Sequence, residues 1–277
     1  MDARTARFRD GGRVATVREE KVRTLPQYLE LLEQAQRRAP SSLWYRGCGT
    51  VSYKLLPSLY RHERLKTPEE LADLERSLMT RFRQRSIPYH SRSLTDDWDT
   101  LFFMQHYGVP TRLLDWTENP LIALHFALMG ASKKRTKSGK PAFASNAAVW
   151  VFDPVAWNRH ALRHVSFEGG VLTPDDEALK GYKPIPKFAG MHNQPVALYG
   201  AHNSARIVAQ QGVFTIFGRD TKPMETVFNL DEFPERCLVK VVFLRSVIAP
   251  LRKSLLRGDG TITYTNRRKG CPRIEAR

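Results

Sequence analysis

The chain of 277 residues has only three cysteines, Cys48, Cys237 and Cys271. They are too few and too unevenly spaced for a disulfide framework. Neither a CxxC pair nor convergent histidine spacing accompanies them, which argues against the common zinc motifs. We therefore expect no metal site and a reducing, cytoplasmic location.

Long apolar runs are also missing. No stretch is long enough to cross a bilayer, and residues 1–23 mix both charges without a hydrophobic segment. These features predict a soluble protein with no secretory signal and no membrane partner. No Gly/Ser or Pro linker divides the chain, and 42% of its residues are hydrophobic, enough to fill the core of one large domain.

Acidic residues are outnumbered, 28 against 44 lysines and arginines, giving a formal net charge of +16. The cations gather in three blocks: Arg76, Arg81, Arg83, Arg85 and Arg92; Lys133, Lys134, Arg135, Lys137 and Lys140; and Arg267, Arg268, Lys269 and Arg273. Such a field attracts polyanions, so nucleic acid is a candidate partner. A merely solvated, solubilising surface remains the other interpretation.

Helix and strand patterns alternate along the chain, which predicts an α+β fold. Capping boxes at Thr24 and Thr67 mark the starts of two amphipathic helices. Residues 131–145 are basic and contain Ser and Gly, which predicts an exposed loop. Further helices are predicted at 97–107 and 120–129, and strands at 147–152, 213–217 and 237–244. The pattern assigns no structure to residues 167–200.

Residues 106–122 are the densest group of ionisable, aromatic and turn-forming side chains. Gly108 and Pro110 interrupt the backbone, and Thr111 to Trp116 is predicted to be extended. Asn119-Pro120 then provides a helix cap and a first helical residue. Arg112, Asp115 and Thr117 therefore lie at a strand-to-helix corner, a frequent position for ligands.

Three segments resemble the FRG domain family, named for its aromatic-Arg-Gly signature. They are Tyr45-Arg46-Gly47, residues 105–120 with Ala123 and Phe126-Ala127, and residues 206–214. The resemblance implies an FRG domain over 43–218. It would be preceded by a helical segment, 1–42, and followed by C-terminal strands and a basic tail, 219–277, packed on the same domain.

The order of these segments is also similar, more distantly, to the Arg, Ser/Thr and Glu order of mono-ADP-ribosyltransferases. That resemblance implies a single α+β domain with a central split, mostly antiparallel sheet flanked by helices. It also implies NAD as substrate, ADP-ribose transfer to a nucleic acid or protein, and a role as a toxin or an antiphage defence effector.

The resemblance assigns roles to individual residues. Arg46, Asp115 and Gln210 would be catalytic, with Arg46 also gripping phosphate or ribose through its planar guanidinium. Other residues would bind NAD through hydroxyl groups, aromatic rings or a close approach of the backbone. They are Tyr45, Gly47, His106, Tyr107, Thr111, Arg112, Trp116 and Thr117.

Gln210 departs from the transferase pattern, because an amide cannot offer a negative charge or take a proton as Glu does. Asp115 would have to supply the carboxylate. Two other classes therefore stay open: a basic module that binds or processes nucleic acid, and a non-catalytic ligand-sensing domain. In the latter, Arg46 would only bridge a carboxylate such as Asp115 inside the fold.

Overall fold

A computed structural model describes residues 16–39, 41–65, 67–89, 94–135, 141–165, 167, 169–184, 191–200, 209–231 and 233–257. The strands are β1 (Arg18–Val22), β2 (Trp44–Cys48), β3 (Leu113–Thr117), β4 (Lys133–Arg135), β5 (Pro141–Phe143), β6 (Ala147–Phe152), β7 (Val196–Leu198), β8 (Gly212–Ile216) and β9 (Leu238–Phe243). The helices are α1 (Leu25–Gln36), α2 (Pro68–Ser86), α3 (Asp97–His106), α4 (Pro120–Met129), α5 (Pro154–Ala161), α6 (Met224–Leu230) and α7 (Ile248–Arg257). Short 3₁₀ turns occupy Leu59–Arg61, Ile87–Tyr89 and Glu177–Tyr182.

Seven strands form one mixed sheet in the order β1-β9-β6-β2-β3-β8-β7. Every neighbouring pair is antiparallel except β1 and β9, which run parallel. The prediction of an α+β fold with a mostly antiparallel sheet flanked by helices is confirmed. The strands β4 and β5 pair antiparallel in a separate two-stranded sheet.

Local capping chemistry sets the helix boundaries. Thr67 and Glu70 form a reciprocal capping box at the start of α2, and Asn119 accepts bonds from the first backbone amides of α4, with Pro120 next to it. Asp96 caps α3, which stops before Gly108, where φ is +75°. The helices predicted at these four starts, Thr24 included, are confirmed.

The sheet separates two hydrophobic cores. One core joins α1, α4 and α7 to the β1-β9-β6-β2 half through residues such as Tyr28, Tyr45, Ala123 and Val149. The other is rich in aromatic residues and joins the remaining helices to the opposite face and the β3-β8-β7 half. Alternation along β2 divides it between them, since Trp44 and Cys48 belong to the second core and Tyr45 to the first.

Two sequence interpretations need correction, and one stretch without an assignment contains a strand. Residues 1–42 are not only helical, because β1 pairs with β9 over five residues. The predicted loop 131–145 contains the β4-β5 pair, and the unassigned stretch 167–200 supplies β7 at the sheet edge. In the described part of the chain, no helix combines the length and the apolar character needed to span a membrane.

Candidate functional site

Two of the predicted residues, Arg46 and Asp115, meet where β2 and β3 separate. These two strands share a single paired position, Tyr45 with Thr117, whereas β2 pairs with β6 over five positions. Beyond this position the two strands no longer pair with each other, while β2 continues to pair with β6 and β3 with β8. The gap between β2 and β3, filled by Arg46 and Asp115, is the candidate site.

Arg46 bridges this gap. Its Nη1 donates a hydrogen bond to the backbone carbonyl of Asp115 and lies 4.0 Å from the carboxylate atom Oδ2 of the same residue. A quarter of the Arg46 side chain is exposed. The guanidinium therefore replaces a missing ladder bond and still reaches solvent, where its remaining donors can meet an anion.

Asp115 presents a carboxylate to solvent and is held in place from the other side. More than half of its side chain, 57%, is exposed, although its neighbours on β3 are buried. Gln105 on α3 donates from Nε2 to Oδ2 at 2.8 Å, and Thr111 donates from Oγ1 to Oε1 of Gln105 at 2.5 Å. The buried Thr111 thus orients Gln105, which orients the acid.

Gln210 approaches the same strand, two residues further along. The Thr117 hydroxyl donates to the Gln210 carbonyl at 2.6 Å and accepts from the Asn119 amide at 3.1 Å. Gln211, at φ +46°, then turns the chain into β8, and its carbonyl accepts from Glu118. The structure therefore brings Arg46, Asp115 and the Gln210 backbone to adjacent positions along β3.

The other two residues of the tripeptide have packing roles. Tyr45 is 5% exposed and lies in the core beneath α4, where burial raises its pKa to about 12. Gly47 faces the α4 backbone so closely that any Cβ would collide with the carbonyl of Ala123. Glycine is therefore explained by helix-to-strand packing, and both residues lie on the α4 side of the sheet.

Cys48 lies near Arg46 in the interior. Burial raises the pKa of its thiol, and the Arg46 guanidinium partly offsets this effect. The thiol is therefore largely protonated at neutral pH, which argues against a nucleophilic role.

Arg112 is sealed in the core, where its guanidinium is 1% exposed. Nε donates to Glu75 on α2 at 2.8 Å, Nη1 to the Phe217 carbonyl at 2.8 Å, and Nη2 to the Tyr182 carbonyl at 2.6 Å. The sequence interpretation placed Arg112 among the NAD-binding residues, but its donors are already occupied by the protein. We leave it out of the candidate site.

The aromatic candidates also lie elsewhere. Trp116 is buried, stacks on Phe152 with ring centroids 4.7 Å apart, and donates from Nε1 to the Thr215 hydroxyl. Tyr107 is half-exposed, and its ring contacts Phe82 on α2 and the neighbouring His106. A nicotinamide ring would need a different platform.

Tyr199 is the better aromatic candidate, and the sequence reasoning missed it. Its ring is 38% exposed and lies 5.9 Å from the Trp44 ring, just after β7. Its pKa is raised by burial and by the Glu118 carboxylate, which places it near the end of β3. Because β7 was not predicted, the sequence offered no signal for Tyr199.

Gln105 was also missed as a site residue, although it belongs to the central block. The sequence analysis assigned it no role, because it lies near the end of a predicted helix and not on the predicted strand. Gln105 precedes Thr111 by six residues and Asp115 by ten, with a turn between them. This spacing is the signal that could have placed its side chain beside both residues.

Arg46 and Asp115 do form the ion pair that the sequence suggested, but both are partly exposed, and the fully buried arginine pair joins Arg112 to Glu75. Within the described residues, no group of three or more His, Cys, Asp or Glu side chains has metal-binding geometry.

Comparison with known proteins gives one match. No curated protein and no solved structure is significantly similar to this chain. The family model of the FRG domain matches residues 41–136, which include β2, α2, α3, β3 and α4. The matched segment holds Arg46 and Asp115 but ends before residues 206–214, the third block of the resemblance. The chain thus carries an FRG domain, and Arg46 and Asp115 are the residues that this domain exposes at the β2-β3 gap.

Proposed function

We propose that the chain is an NAD-dependent mono-ADP-ribosyltransferase-like enzyme with its reaction centre at the β2-β3 gap. The proposal is supported chiefly by one observation: an accessible guanidinium, Arg46, and an oriented, exposed carboxylate, Asp115, lie 4.0 Å apart at their closest. Gln210 adjoins them through Thr117. This combination suits a substrate that carries both a diphosphate and a ribose.

The reaction assigns a task to each group. The bond between C1′ of the nicotinamide ribose and the ring nitrogen breaks, and nicotinamide leaves with the bonding electron pair. The acceptor then bonds to C1′, and its proton passes to Asp115 or to water. Arg46 would hold the diphosphate, and the Asp115 carboxylate would stabilise the positive charge that develops on the ribose.

Gln105 and Thr111 would act as positioning residues. They hold Asp115 by one oxygen, Oδ2, so that Oδ1 stays available to the substrate. Preorganisation of this kind makes an electrostatic group effective, because it need not reorient during the reaction.

A second candidate function, ligand sensing without transfer, is favoured by Gln210 itself. The amide can hydrogen-bond a ribose hydroxyl, but it cannot accept the proton of an incoming nucleophile. If Asp115 does not serve as the base, NAD would bind at the gap and remain intact. A toxin or antiphage role belongs to the first candidate and depends on transfer.

The test is incubation with radiolabelled NAD and either nucleic acid or cell lysate. We expect label on a macromolecule with the wild-type chain and none with Arg46→Ala. Asp115→Asn keeps the shape of the side chain and should slow transfer about a hundredfold, the usual loss for an acid-base group. Gln210→Glu should raise the rate, because it restores the carboxylate of the transferase pattern.

The matched control is Arg81→Ala, which removes an exposed arginine from α2 and should transfer normally. Circular dichroism confirms that each variant is folded. NAD-dependent thermal stabilisation without any label, in both the wild type and Gln210→Glu, would select ligand sensing. Neither stabilisation nor label would reject both candidates.

A further inference from the structure

A groove with a basic rim lies away from the β2-β3 gap, at one end of the sheet. It has a volume of about 1080 Å³ and runs between α1, α5 and the segment that leads into β9. Its floor includes the apolar side chains Leu31, Ala35, Val151 and Val239. We call it the α1-α5 groove; Arg46, Asp115 and Gln210 do not line it, and apart from Leu43 its lining lies outside residues 41–136.

The charges around the groove are strongly unbalanced. Of its four acids, Glu20 pairs with Arg18 at 2.5 Å, and Asp153 caps α5 by accepting from the amides of Val155 and Ala156. Two carboxylates, Glu30 and Glu235, then face six cations: Lys21, Arg23, Arg38, Arg159, Arg163 and Arg236. All six are exposed, and among the described residues none of them forms an ion pair.

One of these cations occupies an unusual backbone position. Arg236 has φ +72° in the turn that the amide of Cys237 closes onto the Pro234 carbonyl. This region ordinarily suits glycine and costs other residues about 1 kcal/mol. Arg236 is exposed at this position and contributes its charge to the rim.

We propose that the α1-α5 groove binds the phosphate backbone of single-stranded nucleic acid. Five of these six cations are arginines, whose planar guanidinium pairs with phosphate through two parallel hydrogen bonds. The apolar floor offers bases a surface away from water. A concave channel suits a single strand, whereas a duplex is read by elements that protrude into its grooves.

The chain's own ends do not complement this surface. Residues 1–15 carry four arginines against two aspartates, and residues 258–277 carry five cations against two acids. Both are net positive, as is the whole chain at +16, so the groove would repel them. The positive charge of the groove therefore favours a separate, negatively charged polymer as its occupant.

The test measures binding of fluorescein-labelled single strands of about fifteen nucleotides, RNA and DNA, by fluorescence anisotropy at several salt concentrations. The groove variant combines Lys21→Gln, Arg38→Gln and Arg236→Gly, the last of which also suits the local backbone. Each phosphate contact on a single strand contributes about 0.7 to the slope of log K against log salt. Loss of three contacts should therefore lower the slope by about 2 and the affinity at 0.1 M salt about a hundredfold.

The matched control removes the same charge elsewhere, with Arg81→Gln, Lys134→Gln and Arg245→Gln, three exposed residues that do not line the groove. It should bind within about threefold of the wild type. Equal losses in the two triple variants would overturn the proposal, because binding would then follow net charge alone. Equally tight binding of duplex DNA or polyglutamate would overturn it as well.

The inference does not depend on NAD chemistry. The binding assay contains no NAD, and Arg46→Ala should bind the single strand like the wild type. A chain that transfers label but binds no strand, or the reverse, would separate the two proposals.

Discussion

The buried ion pair between Glu75 and Arg112 gives the sharpest test of what holds the FRG domain together. Both side chains are 1% exposed, and Arg112 fixes four segments at once through Glu75, Tyr182, Met191 and Phe217. Glu75→Gln is the perturbation to make. It keeps the side-chain volume and one acceptor oxygen but removes the negative charge.

Glu75→Gln lowers the free energy of unfolding because the Arg112 guanidinium stays charged and buried without its counterion. Burial lowers the pKa of Arg112, but Glu75 and Tyr60 together outweigh this effect and raise the pKa, so Arg112 stays charged. Breaking a buried pair by removing one partner costs about 3 to 5 kcal/mol. Because glutamine still accepts from Nε, we expect the lower end, about 3 kcal/mol. For a chain of this size that corresponds to a fall in Tm of about 6 to 12 °C.

Urea denaturation followed by tryptophan fluorescence measures the loss in the free energy of unfolding. Glu69→Gln is the matched control on the same helix, since Glu69 is 60% exposed and lies 3.9 Å from Arg219. An exposed pair contributes less than about 1 kcal/mol, so this variant should unfold nearly as the wild type does.

The same variant tests whether Arg112 is structural. We expect Glu75→Gln to bind NAD as tightly as the wild type once the folded fraction is taken into account. The reasoning would be refuted by a Glu75→Gln chain that is as stable as the wild type. It would also be refuted by a stable chain that loses NAD binding, since Arg112 would then contact the ligand.

Three further outcomes are expected. Gly47→Ala should destabilise the chain by about 3 kcal/mol in urea unfolding, because the new methyl group collides with the Ala123 carbonyl. Asn119→Ala should cost about 1 kcal/mol in the same assay through loss of the α4 cap. His192, whose pKa is lowered by burial and by His164, binds a proton more readily in the unfolded chain. Stability should therefore fall as pH drops below about 6.5, and His192→Gln should show a shallower fall of Tm between pH 7 and 5.

Elements set by local chemistry could be predicted from the sequence. The four predicted helices have caps within three residues of their starts, and β6 is an uninterrupted apolar run, Ala147–Phe152. By contrast, β1 is polar, with Val22 its only buried residue, and it forms by pairing with β9 more than two hundred residues later. Three-residue β7 is too short to leave a pattern. Such strands are defined by their partners, which the sequence does not name.

The candidate site likewise combines features that the local sequence predicts with features that depend on distant residues. That Arg46 and Asp115 would meet was predicted, because Gln210 left the transferase pattern without a carboxylate and Asp115 was the acid in the central block. The role of Arg112 could not be predicted, since its partners lie 37, 70, 79 and 105 residues away along the chain. Residue type alone does not distinguish an arginine that awaits a ligand from one whose donors the fold already uses.

The aromatic-Arg-Gly tripeptide combines three separate constraints, and only one of them concerns solvent. Tyr45 fills the core beneath α4, and Gly47 lets α4 approach β2. Arg46 closes the gap where β2 and β3 part, using Nη1 on the Asp115 carbonyl while a quarter of its side chain stays exposed. Two of the three residues would be required by the fold whatever the domain binds. A match to the tripeptide therefore identifies an architecture, and activity must be sought in what Arg46 and Asp115 hold between them.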